Sequence, residues 1–384
     1  MTGARRLRVG LVTPGFSASE ADWCIPAQLD LVRALAARHD VRLLALRYPH
    51  TRRPYAVHDA RVTPLGGAQS RGFGRLLMML RALAALRREH RREPFDVLHA
   101  LWAHEPGALC AWAGRALHVP VVVSVLGGEL VDLPAIDYGG RRAPLNRRLI
   151  ASALRRAARV TVGSSFLRAV AESAGLRDAR WSEWPLGVET ARFHAGGTRD
   201  EERGRARRDG RITLDGDPAL LHVGSLVPVK DQATLLRAFA RLRVDRPRAR
   251  LHVVGDGPLR ARLQALAAEL RVAESVTFHG ALVHDDLPAL CRQADVFTLS
   301  SRFESQCLAL LEAVACGCPV AGTAVGALPE VAPADCTATP GDAAGLAAAI
   351  AHALDTRARP ELPTRFELTA SVDALVEIYR GAAA

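Results

Sequence analysis

Two successive sets of short β-branched runs, each run separated from the next by a longer stretch of helical periodicity, constrain this chain more than any other feature. Parallel strands cannot be joined by a tight turn, so strands that alternate with helices build parallel sheets covered on both faces. In the first half, strands are predicted at residues 7–12, 41–46, 97–100, 119–125 and 159–162, with helices between them such as 26–38. The second half repeats the arrangement, with strands at 219–223, 249–254, 276–279, 296–299 and 319–322 and helices such as 232–243 and 259–269. At 384 residues the chain exceeds the size at which one hydrophobic core keeps growing, so two parallel α/β domains are expected. They are expected to meet near 185–193. Residues 196–218, Gly-rich, charged and poor in apolar side chains, read as an exposed linker or insertion. A last helix, 370–380, carries Val372, Leu375, Val376 and Tyr379 on one face and must dock on something.

Charge is uneven along this frame. Residues 1–190 hold 28 Arg against 16 Asp and Glu, a net of +12, whereas 191–384 hold 23 Lys and Arg against 24, a net of −1. Such asymmetry points to an N-terminal half that meets something acidic, such as a phospholipid surface or a lipid-linked phosphate. Most of it sits in 71–92, where Arg interleaves with Leu76, Leu77, Met78, Met79, Leu80, Leu83 and Leu86, and in 141–159. Each stretch reads either as a helix lying in a membrane interface or as a surface helix whose apolar stripe faces its own sheet. Nucleic acid is not an expected partner, since 5% of residues are aromatic and no stacking platform or zinc knuckle is present. No apolar run approaches the roughly 20 residues of a membrane span. The N-terminus passes from Arg5, Arg6 and Arg8 through a short apolar segment to Pro14, without the h-region of a signal peptide. A cytoplasmic location, extending to the inner membrane face, is expected. Seven cysteines, an odd and scattered set, fit a reducing compartment, and Cys316 and Cys318 read as helix-end packing.

The chemistry concentrates in residues 301–319, SRFESQCLALLEAVACGCP, where Glu304 and Glu312 stand eight positions apart. Eight helical residues rise about 12 Å and turn about 800°, leaving the two side chains on one side but far apart. Glycoside hydrolysis needs its carboxylates roughly 5 to 10 Å apart across one bond. The spacing suits instead two ends of one elongated ligand such as a nucleotide-sugar. Ser305 is the expected N-cap, Gly317 and Pro319 the stop, and the helix N-terminus a place for a diphosphate. The alternative is an ordinary buried helix with two solvated glutamates. Lys230 is the single Lys beside 50 Arg, and it falls in a predicted strand-loop-helix junction. A compact ammonium suits a leaving phosphate that gains charge, whereas Arg imposes a planar fork. GDGP at 255–258 reads either as a fragment of a dinucleotide fingerprint or as a tight strand-to-helix turn.

With these motifs in order, the chain resembles the family-4 glycosyltransferases of GT-B architecture. The resemblance rests on HVGSLVPVKDQATLLRAFARL from His222, VVGDGPLRARL from Val253, VTFHGALVHDDLP from Val276 and FESQCLALLEAVACGCPVAGTAVGALPEV from Phe303. It extends more loosely through FDVLHALWAHEPG from Phe95, VVVSVLGGELV from Val121 and PLGVETARF from Pro185. It implies two Rossmann-like parallel α/β domains facing each other across a cleft. Residues 1–187 would bind the acceptor and 188–365 the nucleotide-sugar, with 366–384 as a helix docking back on the first domain. It implies retaining transfer from a UDP- or GDP-sugar to a hydroxyl of a glycan, polysaccharide or lipid-linked acceptor, with no cofactor and no metal.

The resemblance also implies roles for single residues. Glu312 would take the ribose hydroxyls, Glu304 the donor-sugar hydroxyls and Lys230 the diphosphate. Ser305, Gln306 and Cys307 would line the diphosphate and sugar, and His279 and Gly280 the base. Ser225, Gly255 and Gly15 complete the expected donor contacts. The chain departs from the family pattern twice. Ser225 replaces a second phosphate-binding Arg, and Leu126 stands where an active-site His often precedes Gly127 and Gly128. His104 and Glu129, with that glycine pair, are the candidates for acceptor contact. A non-catalytic nucleotide-binding relative and a pyridoxal-phosphate phosphorylase with Lys230 as its Schiff-base lysine are the competing expectations.

Overall fold

The computed structural model describes residues 5–22, 24–68, 72–176 and 180–383. Trp23, in the first loop, and Arg71, which opens the first basic stretch, lie outside the described residues. Two compact units form, one of Met1–Gly187 with Leu368–Ala384 and the other of Val188–Glu367.

The first unit carries strands β1 (Arg8–Gly15), β2 (Asp40–Tyr48), β3 (Tyr55–Val57), β4 (Ala60–Pro64), β5 (Val97–Leu101), β6 (Val121–Val125), β7 (Arg159–Val162) and β8 (Trp181–Glu183). Helices α1 (Pro26–Ala36), α2 (Gly72–Arg92), α3 (Glu105–Leu117), α4 (Pro144–Arg156) and α5 (Ser165–Ser173) connect them. The sheet runs β3-β4-β2-β1-β5-β6-β7-β8 and is parallel apart from β3, which pairs antiparallel with β4. The runs in β5 (VLHAL) and β6 (VVVSV) are buried throughout, as strands covered on both faces must be.

The second unit holds α6 (Arg199–Arg208), β9 (Ala219–Val223), α7 (Gln232–Asp245), β10 (Arg250–Val254), α8 (Arg260–Glu269), β11 (Val276–Gly280), α9 (Leu287–Gln293) and β12 (Val296–Leu299). It continues with α10 (Leu308–Ala315), β13 (Val320–Thr323), α11 (Leu328–Val331), β14 (Thr337–Ala338) and α12 (Ala343–Thr356). Its sheet runs β11-β10-β9-β12-β13-β14, parallel throughout. Leu220, Leu251 and Val296 meet Leu235 and Phe239 of α7 and Leu346 and Ile350 of α12 in one core. In each unit the strand order reverses beside the first strand, at β1/β5 and at β9/β12. In such sheets ligands bind outside the carboxyl ends of the strands at the reversal.

Residues 196–218 are largely exposed, as their composition suggests, and of the two readings, linker or insertion, they take the second. They hold α6, which opens with a capping box between Thr198 and Glu201. Glu202 is buried and pairs with Arg292 (3.2 Å) and Arg205 (3.0 Å), while Arg199 pairs with Asp295. Glu202 and Arg199 are satisfied by partners in this unit, while Arg207, Arg208 and Asp209 stand exposed.

The last helix, α13 (Leu368–Ala383), packs within the first unit and buries Val372, Leu375, Val376 and Tyr379. Its anchor is polar. Tyr379 Oη lies 2.7 Å from His99 Nδ1, His99 Nε2 lies 2.7 Å from Ser124 Oγ, and Ser124 Oγ lies 2.6 Å from Thr161 Oγ1. Trp184 Nε1 donates to the Ser371 carbonyl at 2.9 Å. Full burial drives the His99 pKa down to about 3, so the ring is neutral. Tyr379→Phe strips His99 Nδ1 of its partner inside the core and should destabilise the fold by about 1 to 3 kcal/mol, read as a lower urea midpoint. Unfolded, His99 binds a proton below about pH 6.5, but folded only near 3. Its contribution to stability should therefore be lost progressively across that window as pH falls, which urea titrations at stepped pH will measure.

Candidate active site

In the second unit the loops at the carboxyl ends of β9 and β12 are stitched together. After β9 the chain makes a 3-10 turn, Pro228–Lys230, and Asp231, in the left-handed region at φ 46°, caps α7 through Thr234. Ser300 Oγ donates to the Lys230 carbonyl at 2.8 Å, and Arg302 N donates to the Val229 carbonyl at 2.7 Å. Across this seam Lys230 Nζ donates to Glu304 Oε1 at 2.6 Å. Ser301 Oγ donates to the same oxygen at 2.6 Å. Lys230 and Glu304, separated by 74 residues of sequence, thus form one charge-neutral unit.

Glu304 does not belong to the helix that follows. α10 begins at Leu308, and its N-cap is Cys307, held at φ 73° without a side-chain cap hydrogen bond, so Ser305 is not the cap. The helical rise between the two glutamates therefore does not apply, because residues 304–307 form a loop. Gly326, at φ +61°, shapes that loop. A Cβ there would lie 2.6 Å from Gln306 O and 2.8 Å from Glu304 Cβ, and Ala327 N donates to Gln306 O at 2.8 Å. Cys307 is buried, which pushes its thiol pKa up to about 12 and keeps it protonated.

Glu312 lies within α10 and is buried. His284, in the 3-10 turn ahead of α9, places Nε2 2.8 Å from Glu312 Oε1. The His284 ring in turn packs 5.1 Å from the ring of Phe193. Gly326 and His284 both lie inside the motifs that carry the resemblance, but neither was singled out within them.

The glycines of GDGP serve close backbone packing. A Cβ on Gly255, at φ +129°, would sit 2.1 Å from Gly224 O, and one on Gly257 would sit 2.5 Å from Leu226 O. They let this turn press against the loop that carries Ser225 and Lys230, which favours the turn reading over a dinucleotide fingerprint. Ser225 is exposed, and its carbonyl accepts from Gln232 Nε2 at 2.9 Å. At the end of β11, His279 Nε2 lies 3.0 Å from His252 Nδ1 with the rings stacked, and Gly280 takes φ +77°. Burial lowers the pKa of both histidines, which favours the neutral rings. The Asp-x-Asp triplet 215–217 precedes β9, at the opposite edge of the sheet, with Asp215 paired to Arg250 (3.0 Å) and Asp217 to Arg248 (2.6 Å). Among the described residues no group of three or more His, Cys, Asp or Glu side chains is arranged to hold a metal.

The first unit gathers its candidates at the carboxyl ends of β1, β5 and β6. Gly15 ends β1, 3.3 Å from Tyr48 Cβ at the position of a would-be Cβ. His104 caps α3 by accepting from Glu105 N at Nδ1, 2.9 Å, and burial lowers its pKa. Glu129 is buried and already engaged. Its Oε1 accepts from Ala103 N (3.2 Å) and Leu126 N (3.3 Å), and its Oε2 from Gly127 N (2.7 Å). The carboxylate braces two loops. Would-be Cβ atoms on Gly127 and Gly128 would lie 3.1 Å from Trp102 Nε1 and 2.5 Å from the Tyr138 ring. These two aromatic neighbours were not legible as partners of the glycine pair.

Two doubly wound units of this kind, with a cationic loop facing a carboxylate at one switch point, define a nucleotide-handling α/β protein, and comparison with known proteins narrows the class. Residues 28–192 match the model described as "Glycosyltransferase Family 4", and residues 206–370 match "Glycosyl transferases group 1". The D-inositol 3-phosphate glycosyltransferase of Acidothermus cellulolyticus is 32% identical over 78% of this chain and 71% of its own length. The GDP-mannose-dependent alpha-(1-6)-phosphatidylinositol monomannoside mannosyltransferase of Mycolicibacterium smegmatis is 36% identical over 44% of the chain, a match spanning 45% of that protein. Among solved structures, sucrose-phosphate synthase from Thermosynechococcus elongatus aligns with a TM-score of 0.77 at 21% identity, covering 98% of each chain. Anabaena HepE in complex with UDP and glucose aligns at 0.70 and 17%, covering 97% of this chain and 99% of that one. The chain belongs to the family-4 glycosyltransferases and has the GT-B fold.

His284 is expected to act as a positioning residue for Glu312. In titrations of a nucleoside diphosphate, His284→Ala should weaken binding about tenfold or more, whereas His284→Gln, which keeps a donor near Nε2, should recover most of it.

Proposed function

We propose that the chain transfers a sugar from a UDP- or GDP-sugar to a hydroxyl of a glycan, polysaccharide or lipid-linked acceptor, with retention at the anomeric carbon and without a metal ion. The observation that carries this reading is the Lys230–Glu304 pair at the reversal of the second sheet, one helix away from a second buried carboxylate. A donor diphosphate would draw the ammonium away from Glu304 and leave that carboxylate to accept from sugar hydroxyls. Glu312, held from one side by His284, would accept from the ribose diol. The first turn of α10 adds its unpaired N–H groups toward phosphate. Developing charge on the leaving diphosphate is then stabilised by a fixed cation in a partly dry site, the kind of interaction that contributes most in the transition state.

Glu304 and Glu312 are each engaged with a neighbour, which suits orientation of the donor better than attack on it. On this reading the departing phosphate takes the acceptor's proton while the new bond forms on the same face. In the first unit, His104 Nδ1 accepts a backbone N–H, so the neutral ring carries its proton on Nε2 and offers a donor rather than a base. Trp102 and Tyr138, beside Gly127 and Gly128, offer ring surface for an acceptor sugar. The bound UDP and glucose of the HepE complex and the GDP-mannose dependence in the mannosyltransferase's name support a pyrimidine or guanine nucleotide donor. The excess of Arg in residues 1–190 supports peripheral association with a membrane face. A binding-only role finds no support among the relatives, which are named as glycosyltransferases.

A thermal-shift panel of UDP-, GDP-, ADP- and TDP-sugars should show stabilisation of the wild type by at least one donor and little by that donor in Glu312→Ala. No shift with any donor, or an equal shift in the variant, removes the reading. With the active donor, Lys230→Ala should lower turnover by about a hundred- to a thousandfold, and Lys230→Arg should restore little of it, because a planar fork does not replace a compact ammonium.

A further inference from the structure

The apolar side chains of α2 divide into two stripes. Met78, Met79, Ala82, Ala85 and Leu86 are buried. Phe73 (80% exposed), Leu76 (54%), Leu77 and Leu80 (54%) follow one another at the spacing of a single helix face and stand open. Beyond Leu80 the same face continues through Ala84, Arg87, Arg88 and Arg91, all exposed. The 21-residue helix is therefore an apolar tip joined to a cationic shaft. A second element lies beside the tip. Arg75 pairs with Glu105 at 2.7 Å and donates to Asn146 Oδ1 at 2.9 Å, which ties α2 to the first turn of α4. There Leu145 is 52% exposed, flanked by the exposed Arg147 and Arg148. Among the described residues no carboxylate pairs with Arg81, Arg87, Arg91, Arg147 or Arg148, whereas the buried Arg42 and many surface arginines of this unit do have acidic partners.

We infer that this face of α2 and α4 seats on an anionic lipid bilayer. Phe73, Leu76, Leu80 and Leu145 enter the boundary between headgroups and acyl chains, and the arginine rows lie on lipid phosphates. A contiguous exposed apolar patch on an otherwise well-packed unit marks an interaction surface. Arg88 of the shaft pairs with Glu89 at 3.5 Å, and the five arginines around the patch that are free of carboxylates specify that the partner is anionic. A second copy of the chain is a poor occupant, because a two-fold pairing of identical faces sets one arginine row against another. A bilayer supplies both an apolar layer and a dense anionic layer, in the order in which tip and shaft present themselves.

The placement bears on the acceptor. α2 follows β4 and α4 follows the loops after β6, so the amino ends of both helices lie at the carboxyl edge of the first sheet, the edge that carries His104, Gly127 and Gly128. A hydroxyl borne on a lipid would reach that edge without leaving the membrane surface. This last step rests on the transfer reading, and the docking does not.

Flotation of the full chain with phosphatidylcholine vesicles, with and without phosphatidylglycerol, tests the inference. The wild type should float with the anionic vesicles only, and less so as salt is raised. The variant Phe73→Ser/Leu76→Ser/Leu80→Ser should partition about tenfold less or worse, and Arg87→Gln/Arg88→Gln/Arg91→Gln should lose the preference for phosphatidylglycerol. Wild type that stays with the soluble fraction, or a serine variant that floats as well as wild type, overturns it. So does a concentration-dependent dimer in sedimentation that the serine substitutions abolish. The donor thermal shift should be the same in wild type and serine variant. If that shift is absent from both while flotation behaves as expected, the transfer reading fails and the docking surface stands.

Discussion

The contact between Lys230 and Glu304 is the constraint on which the second unit turns. Opposite charges 2.6 Å apart, with most of each side chain out of solvent, are favourable only when both ends are held in place. The holding comes from backbone. The turn of Lys230 is fixed to the strand end after β12 through Ser300 and Arg302, and the loop of Glu304 is pressed from behind by Gly326. These loops leave adjacent strands of one parallel sheet at the place where its order reverses, so the fold itself brings together residues 74 positions apart. Removing either charge would strand the other beside Ser301, which is a larger penalty than the pair's own net contribution.

The sheets were legible because strands buried on both faces read as continuous apolar runs, as β5, β6, β9 and β10 do. Strands at the margins were not. β3, β8 and β14 are two or three residues long, below any length at which periodicity can be seen. Residues 196–218 were legible as exposed but not as helical. Composition registers the charges of α6 but not that Glu202 pairs with Arg292 and Arg199 with Asp295 within the fold. At the site, the residue types and their order were legible, but the local backbone was not. Cys307 at φ 73° ends the loop and starts the helix with a conformation that non-glycine residues rarely adopt and no sequence pattern announces. His284 escaped notice because its meaning depends wholly on a partner 28 residues away.

The first unit follows another logic. Its carboxyl-edge loops are braced internally, with Glu129 spent on three backbone N–H groups of two loops. A buried carboxylate bonded in this way holds its loops rigidly and has little left to offer a ligand. On the proposed reading, variation in what such a unit recognises would come from other side chains at this edge, here Trp102, Tyr138 and His104. It would also come from the surface around them, where α2 and α4 expose apolar and cationic groups together.

Glu304 and Glu312 are both paired within the second unit, yet the pairings differ in kind. Lys230 has a competitor in any diphosphate, because phosphate oxygens carry more charge than one carboxylate and accept from the same three N–H donors. Its bond to Glu304 is therefore exchangeable, and on the proposed reading exchange would free Glu304 when a donor arrives. His284 has no such competitor, because a ribose diol donates to Glu312 rather than accepting from imidazole. The diol's hydroxyls can take the lone pairs that His284 leaves open, and the histidine bond persists. On the proposed reading one glutamate would thus change partner on binding while the other would keep it. A site built this way would store its orientation at the nucleotide end and its responsiveness at the sugar end, where the bond to be broken would lie.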